Sequence, residues 1–157
     1  MAKISFNSII PLTLCVMLLF VIVGCVSSYM PRQMLTGTAE REDNTSSTTF
    51  KKFPAPGITL ITSEPSTVTA FFVAECRVSS PGKKLEVRIK VDDQVVSPDV
   101  AVLTTNNQYE SHSFLATTAK AKVPPGTHMV TVEWRVSGGK AFVRNRSFTV
   151  WEVKYPD

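Results

Sequence analysis

Residues 129–136 read Met129-Val130-Thr131-Val132-Glu133-Trp134-Arg135-Val136, in which Val and Trp alternate with mainly polar residues. Residues 85–91 show the same pattern, with Leu, Val and Ile alternating with Glu, Arg and Lys. A period of two places successive side chains on opposite faces of a β-strand. Both segments are therefore predicted to be half-buried strands, with one face on a core and the other in water.

Turn-forming residues separate the apolar segments at short intervals. Pro124-Pro125-Gly126 and Ser137-Gly138-Gly139 flank the first segment, and Asp92-Asp93-Gln94 and Ser97-Pro98-Asp99 follow the second. Proline fixes φ near the value that a turn needs, and glycine accepts a positive φ. About eight or nine short strands follow residue 56, with no helical period. The sequence predicts an all-β, antiparallel β-sandwich, and leaves immunoglobulin-like and jelly-roll topologies open.

One strand segment, Ala70-Phe71-Phe72-Val73-Ala74, is apolar at every position. A run of this kind is typical of a strand that is covered on both faces or lies at an interface. If Phe71 and Val73 are exposed in the monomer, they form a patch that requires a partner. The sequence leaves open whether that partner is a second copy of this chain in a homo-oligomer.

The first 55 residues differ in composition from the rest. A single Lys precedes an apolar run from Ile9 to Val23, which is the pattern of a secretory signal. A spanning helix needs about 20 apolar residues, so an uncleaved anchor is one alternative, and ordinary cleaved secretion is another. The next segment is polar and has little to bury. The predicted organisation is a signal segment over 1–24, a flexible tether over 25–55 and the sandwich over 56–157.

The apolar run ends in Ile22-Val23-Gly24-Cys25. This box resembles the cleavage site of bacterial lipoprotein precursors. The resemblance implies cleavage between Gly24 and Cys25, a diacylglyceryl group on the Cys25 thiol and an acyl chain such as palmitate on the new amine. It implies a lipid-anchored protein of the cell membrane. Where the source has two membranes it favours the outer one, because Val26 and Ser27 are not the acidic residue that retains lipoproteins at the inner membrane.

A second resemblance covers the last third of the chain. Val123-Pro124-Pro125-Gly126-Thr127-His128 leads into the alternating strand, then Gly138-Gly139 and a final strand over 144–150. This order is similar to the closing hairpin of jelly-roll and immunoglobulin-like modules of bacterial surfaces and phage virions. The resemblance implies a sandwich that binds, assembles or acts as a spacer.

Charge and cysteine content narrow the function further. The formal net charge is +4, and it falls to +3 when Lys3 leaves with the signal. The basic residues are spread along the chain without aromatic interleaving, so no nucleic-acid partner is expected. Removal of Cys15 and lipidation of Cys25 leave Cys76 unpaired. Its neighbours at spacings of two are apolar, so Cys76 is predicted to be a small buried side chain.

No residue pattern indicates catalysis. His112 and His128 do not share metal-ligand spacing with other donors, and His128 is predicted to face the core and hydrogen-bond locally. Asp92 and Asp93 are predicted to form a turn rather than a calcium loop. Nucleophile elbows and phosphate loops are absent from the sequence. We expect no catalytic residue, no metal and no cofactor, and therefore no enzyme.

The remaining candidates for binding are aromatic. Trp151, Tyr155 and Tyr109 are the candidates for an exposed platform that binds a sugar or a peptide, and the alternative is that Trp151 covers a contact on the second face or the end of the sandwich. The favoured hypothesis is a lipid-anchored binding or assembly module of the cell envelope with an unidentified protein or glycan partner. The alternatives are a small envelope hydrolase and a structural spacer or phage-derived virion-type module.

Overall fold

The computed structural model describes residues 32–54, 57–118 and 122–153. Eleven β-strands form the regular secondary structure of these ranges. Gly24, Cys25 and Tyr155 lie outside the described residues, as does the predicted signal segment. Among the residues that the structure describes, there is no helix with the length and hydrophobicity needed to cross a membrane.

The strands have the following bounds: β1 Gln33–Ala39, β2 Asp43–Thr45, β3 Lys51–Lys52, β4 Ile58–Thr62, β5 Thr67–Val78, β6 Leu85–Val91, β7 Gln94–Val95, β8 Ala101–Thr104, β9 Glu110–Thr117, β10 Gly126–Val136 and β11 Ala141–Val153.

The strands form two antiparallel sheets. The first has the order β1-β11-β5-β9, with β2 also paired to β11. The second has β10 and β6 at its centre, with β3 and β4 beside β10 and with β7 and β8 beside β6. Without the short β2, β3 and β7, eight strands pair in a nested way: β1 with β11, β4 with β10, β5 with β9 and β6 with β8. This nested order is that of a jelly roll and differs from the ABED and CFG sheets of immunoglobulin domains.

The core lies between the two sheets and confirms the predicted strand faces. Leu85, Val87 and Ile89 of β6 are fully buried, and Trp134 of β10 is only 3% exposed. The alternate residues of both strands point outward. Cys76 is buried and unpaired, as predicted. Burial, followed by the charge of Glu110, raises the pKa of its thiol to about 12, so Cys76 stays protonated and unreactive.

The prediction of a flexible tether over 25–55 is wrong for its described part. β1 is paired with β11 along its whole length, from Gln33 opposite Glu152 to Ala39 opposite Arg146. β2 pairs with β11 of the first sheet, and β3 pairs with β10 of the second. Phe53 is 2% exposed within the core. β1 is the first strand of the jelly roll, which the predicted sandwich over 56–157 lacked. The sandwich therefore begins near residue 33 and not at residue 56.

Candidate functional site

The strands define two ends of the sandwich. At one end, which we call the proximal end, β1, β5 and β10 begin and β4, β6, β9 and β11 end. Backbone bonds between Ser66 and Val123 and between Ser97 and Thr117 join the two sheets there. The distal end carries the turns over 79–84 and 137–140.

A cleft of about 350 Å³ opens at the proximal end, between the β6–β8 segment and the connection from β9 to β10. This volume is within the range of pockets that hold small molecules. Its apolar wall consists of Val91, Val95, Val96, Val123 and Pro124. Its polar groups come from Asp92, Gln94, Ser97, Asp99, Thr117, Thr118 and Lys122. The cleft thus combines an apolar wall with converging hydrogen-bonding groups.

A buried histidine fixes one wall of the cleft. His128 is 4% exposed, and its Nδ1 lies 2.9 Å from Oδ2 of Asp92. Its Nε2 lies 2.9 Å from the backbone oxygen of Pro124. Because both ring nitrogens face acceptors, the geometry suits an imidazolium that donates two hydrogen bonds. The prediction of a core-facing His128 with local hydrogen bonds is confirmed, and the ring holds the β6–β7 turn against the start of β10.

The turn itself is also as predicted. Asp92 adopts a positive φ of 53°, which Asp tolerates better than most residues, and its Oδ1 accepts a bond from the Met129 amide at 3.0 Å. The hydrogen bond from His128, with smaller contributions from the Met129 amide and the histidine charge, lowers the pKa of Asp92 against the effect of burial. Burial acts to lower the pKa of His128, but the bonds to Asp92 and Pro124 outweigh it and raise that pKa.

These shifts predict how stability depends on pH. The stabilisation by His128 is complete below its unfolded pKa, about 6.5, and is lost as the pH rises through the higher folded value. The stabilisation by Asp92 is present above about 3.9 and is lost on further acidification. We expect the stability advantage of the wild type over His128→Phe to be larger at pH about 5.5 than at about 8.5. Urea unfolding of both proteins measures it, and an advantage that grows with pH contradicts the assignment.

The outer face of the second sheet is covered by ion pairs. Arg88 pairs with Glu133 at 2.6 Å, and Arg135 pairs with Glu86 at 2.6 Å. The ring of Phe50 stacks on both guanidinium groups, at 4.2 and 4.5 Å from its centroid. The charges of these two arginines are thus satisfied, and elsewhere on this face Lys52, Lys90, Asp93 and Glu133 line an open depression of about 400 Å³.

The outer face of the first sheet is different at its proximal half. Three cross-strand rows run from β1 through β11 and β5 to β9. The rows are Met34-Trp151-Thr69-Thr117, Thr36-Thr149-Phe71-Leu115 and Thr38-Ser147-Val73-Ser113. None of these side chains is charged. Phe71 and Val73 are half-buried, so of the two interpretations of this strand the one with both faces covered is wrong, and the one with the strand at an interface stays a prediction.

The two described residues of the predicted aromatic platform, Trp151 and Tyr109, lie far apart. Trp151 lies opposite Thr69 in the first row, whereas Tyr109 packs beneath Arg144 and Arg77, at 3.9 and 5.1 Å from its ring centroid. Arg144 is opposite Glu75, six residues along β5 from Thr69, or about 20 Å. The Tyr109 hydroxyl bonds to Glu42, and this cluster belongs to the distal half. Trp151 shares its row instead with Thr117 at the rim of the cleft, two strands and roughly 10 Å away.

The other candidate residues are separated. His112 lies on β9 opposite Ala74, with Nε2 3.2 Å from Glu110, and is distant from His128 on the other sheet. Among the described ranges there is no group of three His, Cys, Asp or Glu side chains placed to hold a metal ion. The sequence does not predict the cleft. The turn segments at 92–93, 97–99 and 124–126 contribute to its lining, but in the sequence each indicates only a separate turn.

Known structures show the same class of fold. No protein-family model and no curated protein sequence matches this chain. It is similar to VP2 in the subviral particle of infectious bursal disease virus, with 14% identity and a TM-score of 0.50. The match covers 77% of this chain and 32% of VP2, so this chain spans about a third of that protein. At this identity the similarity shows the fold alone, a two-sheet antiparallel jelly roll.

Two further structures match more loosely. The C-terminal CBM6 of LamC, a marine laminarinase from Zobellia galactanivorans, is 10% identical with a TM-score of 0.43, over 76% of this chain and 99% of the module. The vertex protein P5 of PRD1 is 10% identical with a TM-score of 0.46, over 77% of this chain and 95% of P5.

Proposed function

We propose that this chain is a lipid-anchored, non-catalytic binding module of the cell envelope, and that its proximal cleft binds a neutral saccharide. The observation that carries the proposal is the cleft itself, in which an apolar wall faces hydroxyl, amide and carboxylate groups. A sugar presents hydroxyl groups that donate and accept hydrogen bonds and an apolar C–H face. Both features have counterparts in this cleft.

The charges of the cleft favour a neutral ligand. Asp92 is already engaged by His128 and the Met129 amide. Asp99 and Lys122 are exposed and of opposite sign, so their contributions to the net charge cancel. Asp99 would repel an anionic ligand and Lys122 would repel a cationic one, whereas the hydroxyl groups of a neutral ligand bond to either residue.

The uncharged rows allow the ligand to extend beyond the cleft. Thr117 belongs both to the cleft and to the row that leads through Thr69 to Trp151. The hydroxyl groups of Thr69 and Thr117 lie on one side of Trp151 along this row, toward the cleft, and are able to bond to a sugar. We infer that a second sugar unit lies on Thr69 and Thr117 when the first occupies the cleft.

We propose binding rather than catalysis because the titratable pair at this wall of the cleft, His128 and Asp92, is held by structural partners. The candidate base, His128, has both ring nitrogens engaged, and the carboxylate beside it accepts a backbone bond. A general base needs a free nitrogen or oxygen within reach of the substrate.

Asp99→Ala is expected to weaken saccharide binding by roughly tenfold to a hundredfold, since a hydrogen bond to a charged group contributes about 1.5–3 kcal/mol. The matched control is Asp93→Ala, because Asp93 lies in the neighbouring turn, outside the cleft, with a side chain that is 99% exposed. Screening on an array of neutral and acidic oligosaccharides, followed by calorimetry, measures the effect. Equal losses in the two variants, or binding to acidic sugars alone, would count against the cleft.

The lipid anchor is a second part of the proposal and rests on the box at residues 22–25. Mass spectrometry of the protein from membranes is expected to show an N-terminal Cys25 that carries diacylglyceryl and acyl mass. Cys25→Ser is expected to remain an uncleaved precursor, whereas Cys15→Ser, within the apolar run, is expected to be processed normally. A mature chain that retains Met1, or that begins at another residue, excludes the anchor.

A further inference from the structure

We propose that the proximal end of the sandwich rests on the surface of a lipid bilayer, so that the cleft takes its ligand at the membrane. This inference deepens the proposed function and rests on it, since it uses both the lipid on Cys25 and the cleft. The occupant of this end is a lipid surface, and the saccharide is one that is presented close to lipid headgroups.

The first argument is the length of chain between the lipid and the fold. Because β1 begins at Gln33, only eight peptide steps separate it from Cys25. A fully extended chain of that length spans at most about 29 Å. β11 has 13 residues and is therefore about 40 Å long. The distal end is thus further from Gln33 than the connection can reach, and the proximal end is the one held at the bilayer.

The second argument is the surface of that end. Met34 on β1 and Ile61 on β4 are each 64% exposed, more than the other large hydrophobic side chains that the described ranges expose. The two strands are linked there, since the Ile61 amide donates to Oε1 of Gln33 at 3.4 Å. Trp151 lies opposite Met34 in the pairing of β11 with β1. The proximal edge formed by β1 and β4, which we call the corner, thus carries Met34 and Trp151 on the outer face of the first sheet and Ile61 on the outer face of the second. Such side chains are suited to the boundary between headgroups and acyl chains.

The charges at this corner are compatible with a bilayer. The Arg32 side chain is 47% exposed and bonds to Ser63 and Glu64, so the carboxylate of Glu64 is neutralised where it stands. Lys122, on the connection into β10, is exposed. A cation close to an anionic membrane surface contributes about 1 kcal/mol of attraction. The corner therefore presents apolar side chains beside an ion pair without net charge, and the exposed Lys122 and Asp99 at the cleft contribute opposite charges.

The intrinsic tryptophans make the test direct. The full-length lipidated protein is reconstituted in vesicles of phosphatidylcholine and phosphatidylglycerol, with either ordinary or brominated acyl chains. The chain has two tryptophans, and Trp134 is buried in the core. Brominated lipid is expected to quench the emission of the wild type and of Trp134→Phe, in which Trp151 alone emits. It is expected to leave the emission of Trp151→Phe unchanged.

A surface variant provides the second measurement. Met34→Asp combined with Ile61→Asp is expected to reduce the quenching of Trp151 while the protein stays in the vesicle fraction through its lipid. The matched control is Val102→Asp, a 49% exposed valine on β8, opposite Glu86. Unquenched Trp151 in vesicle-bound protein, or equal quenching in the double variant and the wild type, overturns the inference. So does a protein that is absent from the vesicle fraction.

Oligosaccharide binding to the same vesicles separates the two proposals. Saccharide binding without quenching of Trp151 overturns the membrane contact and leaves the cleft as the ligand site. Quenching without saccharide binding supports the membrane contact and contradicts the proposed ligand.

Discussion

Trp134→Ala is expected to lower the free energy of unfolding by about 3–5 kcal/mol, a large part of the 5–15 kcal/mol that stabilises a typical domain. The Trp134 ring meets that of Phe53 edge to face, with centroids 4.5 Å apart. Phe53 in turn contacts Phe72 at 5.4 Å, and Phe72 contacts Phe148 at 6.4 Å. Loss of the indole leaves a cavity beside this aromatic chain, which joins both sheets and which the side chains around it cannot fill.

Urea denaturation measures this loss as a lower midpoint with an unchanged slope. Trp151→Ala is the matched control, because this substitution removes the same atoms from a side chain that is half-buried on the outer face. Its expected loss is the smaller of the two. A loss for Trp134→Ala below about 1 kcal/mol, the typical value for a point mutant, would contradict the position of Trp134 in the core.

The sequence predicted the central strands well because their local signal is strong. In β6 every inward position carries a large apolar residue, as does every inward position of β10 after His128, and nearly every outward position of both strands carries a charged or hydroxyl residue. Such contrast fixes the face of each residue before any pairing is known. The faces of Trp134 and His128 and the burial of Cys76 follow from it.

The first strands gave almost no such signal. The inward residues of β1 are Gln33, Leu35, Gly37 and Ala39, three of which are small or polar. Both residues of β3, Lys51 and Lys52, are exposed. These strands are held by pairing with residues about 80 to 120 positions later, such as Gln33 with Glu152, and a local pattern does not report such distant partners.

The cleft was missed for a related reason. Each of its turns was recognised from proline, aspartate and glycine, but their meeting at one end depends on the nested order of the strands. The aromatic platform failed in the same way. Alternation places Trp151 on the outer face of its sheet, whereas its distance from Tyr109 is set by the pairing of β11 with β5 and β5 with β9.

A buried arginine shows how one irregular residue overrides the alternation. The pairing of β11 with β5 shifts between Arg144 and Ser147, and Asn145 at the shift adopts a positive φ of 45°. This bulge turns Arg146 inward, where it is 5% exposed. Its Nη1 donates to the backbone oxygen of Arg41 at 2.6 Å, and its Nη2 lies 2.5 Å from Oδ2 of Asp43.

Asp43→Ala is therefore expected to destabilise the protein by about 3–5 kcal/mol, because it leaves the buried charge of Arg146 without its counterion. The control is Glu75→Ala, which removes the partner of Arg144 from a partly exposed pair and is expected to cost about 0–1 kcal/mol. Combining Asp43→Ala with Arg146→Leu removes both charges and is expected to recover part of the loss. Urea unfolding of all three variants separates the outcomes. The composition of the sequence assigns Asp43 to a flexible tether, in which its loss would not change the free energy of unfolding. Equal small losses for Asp43→Ala and Glu75→Ala would therefore contradict the pairing of β2 with β11.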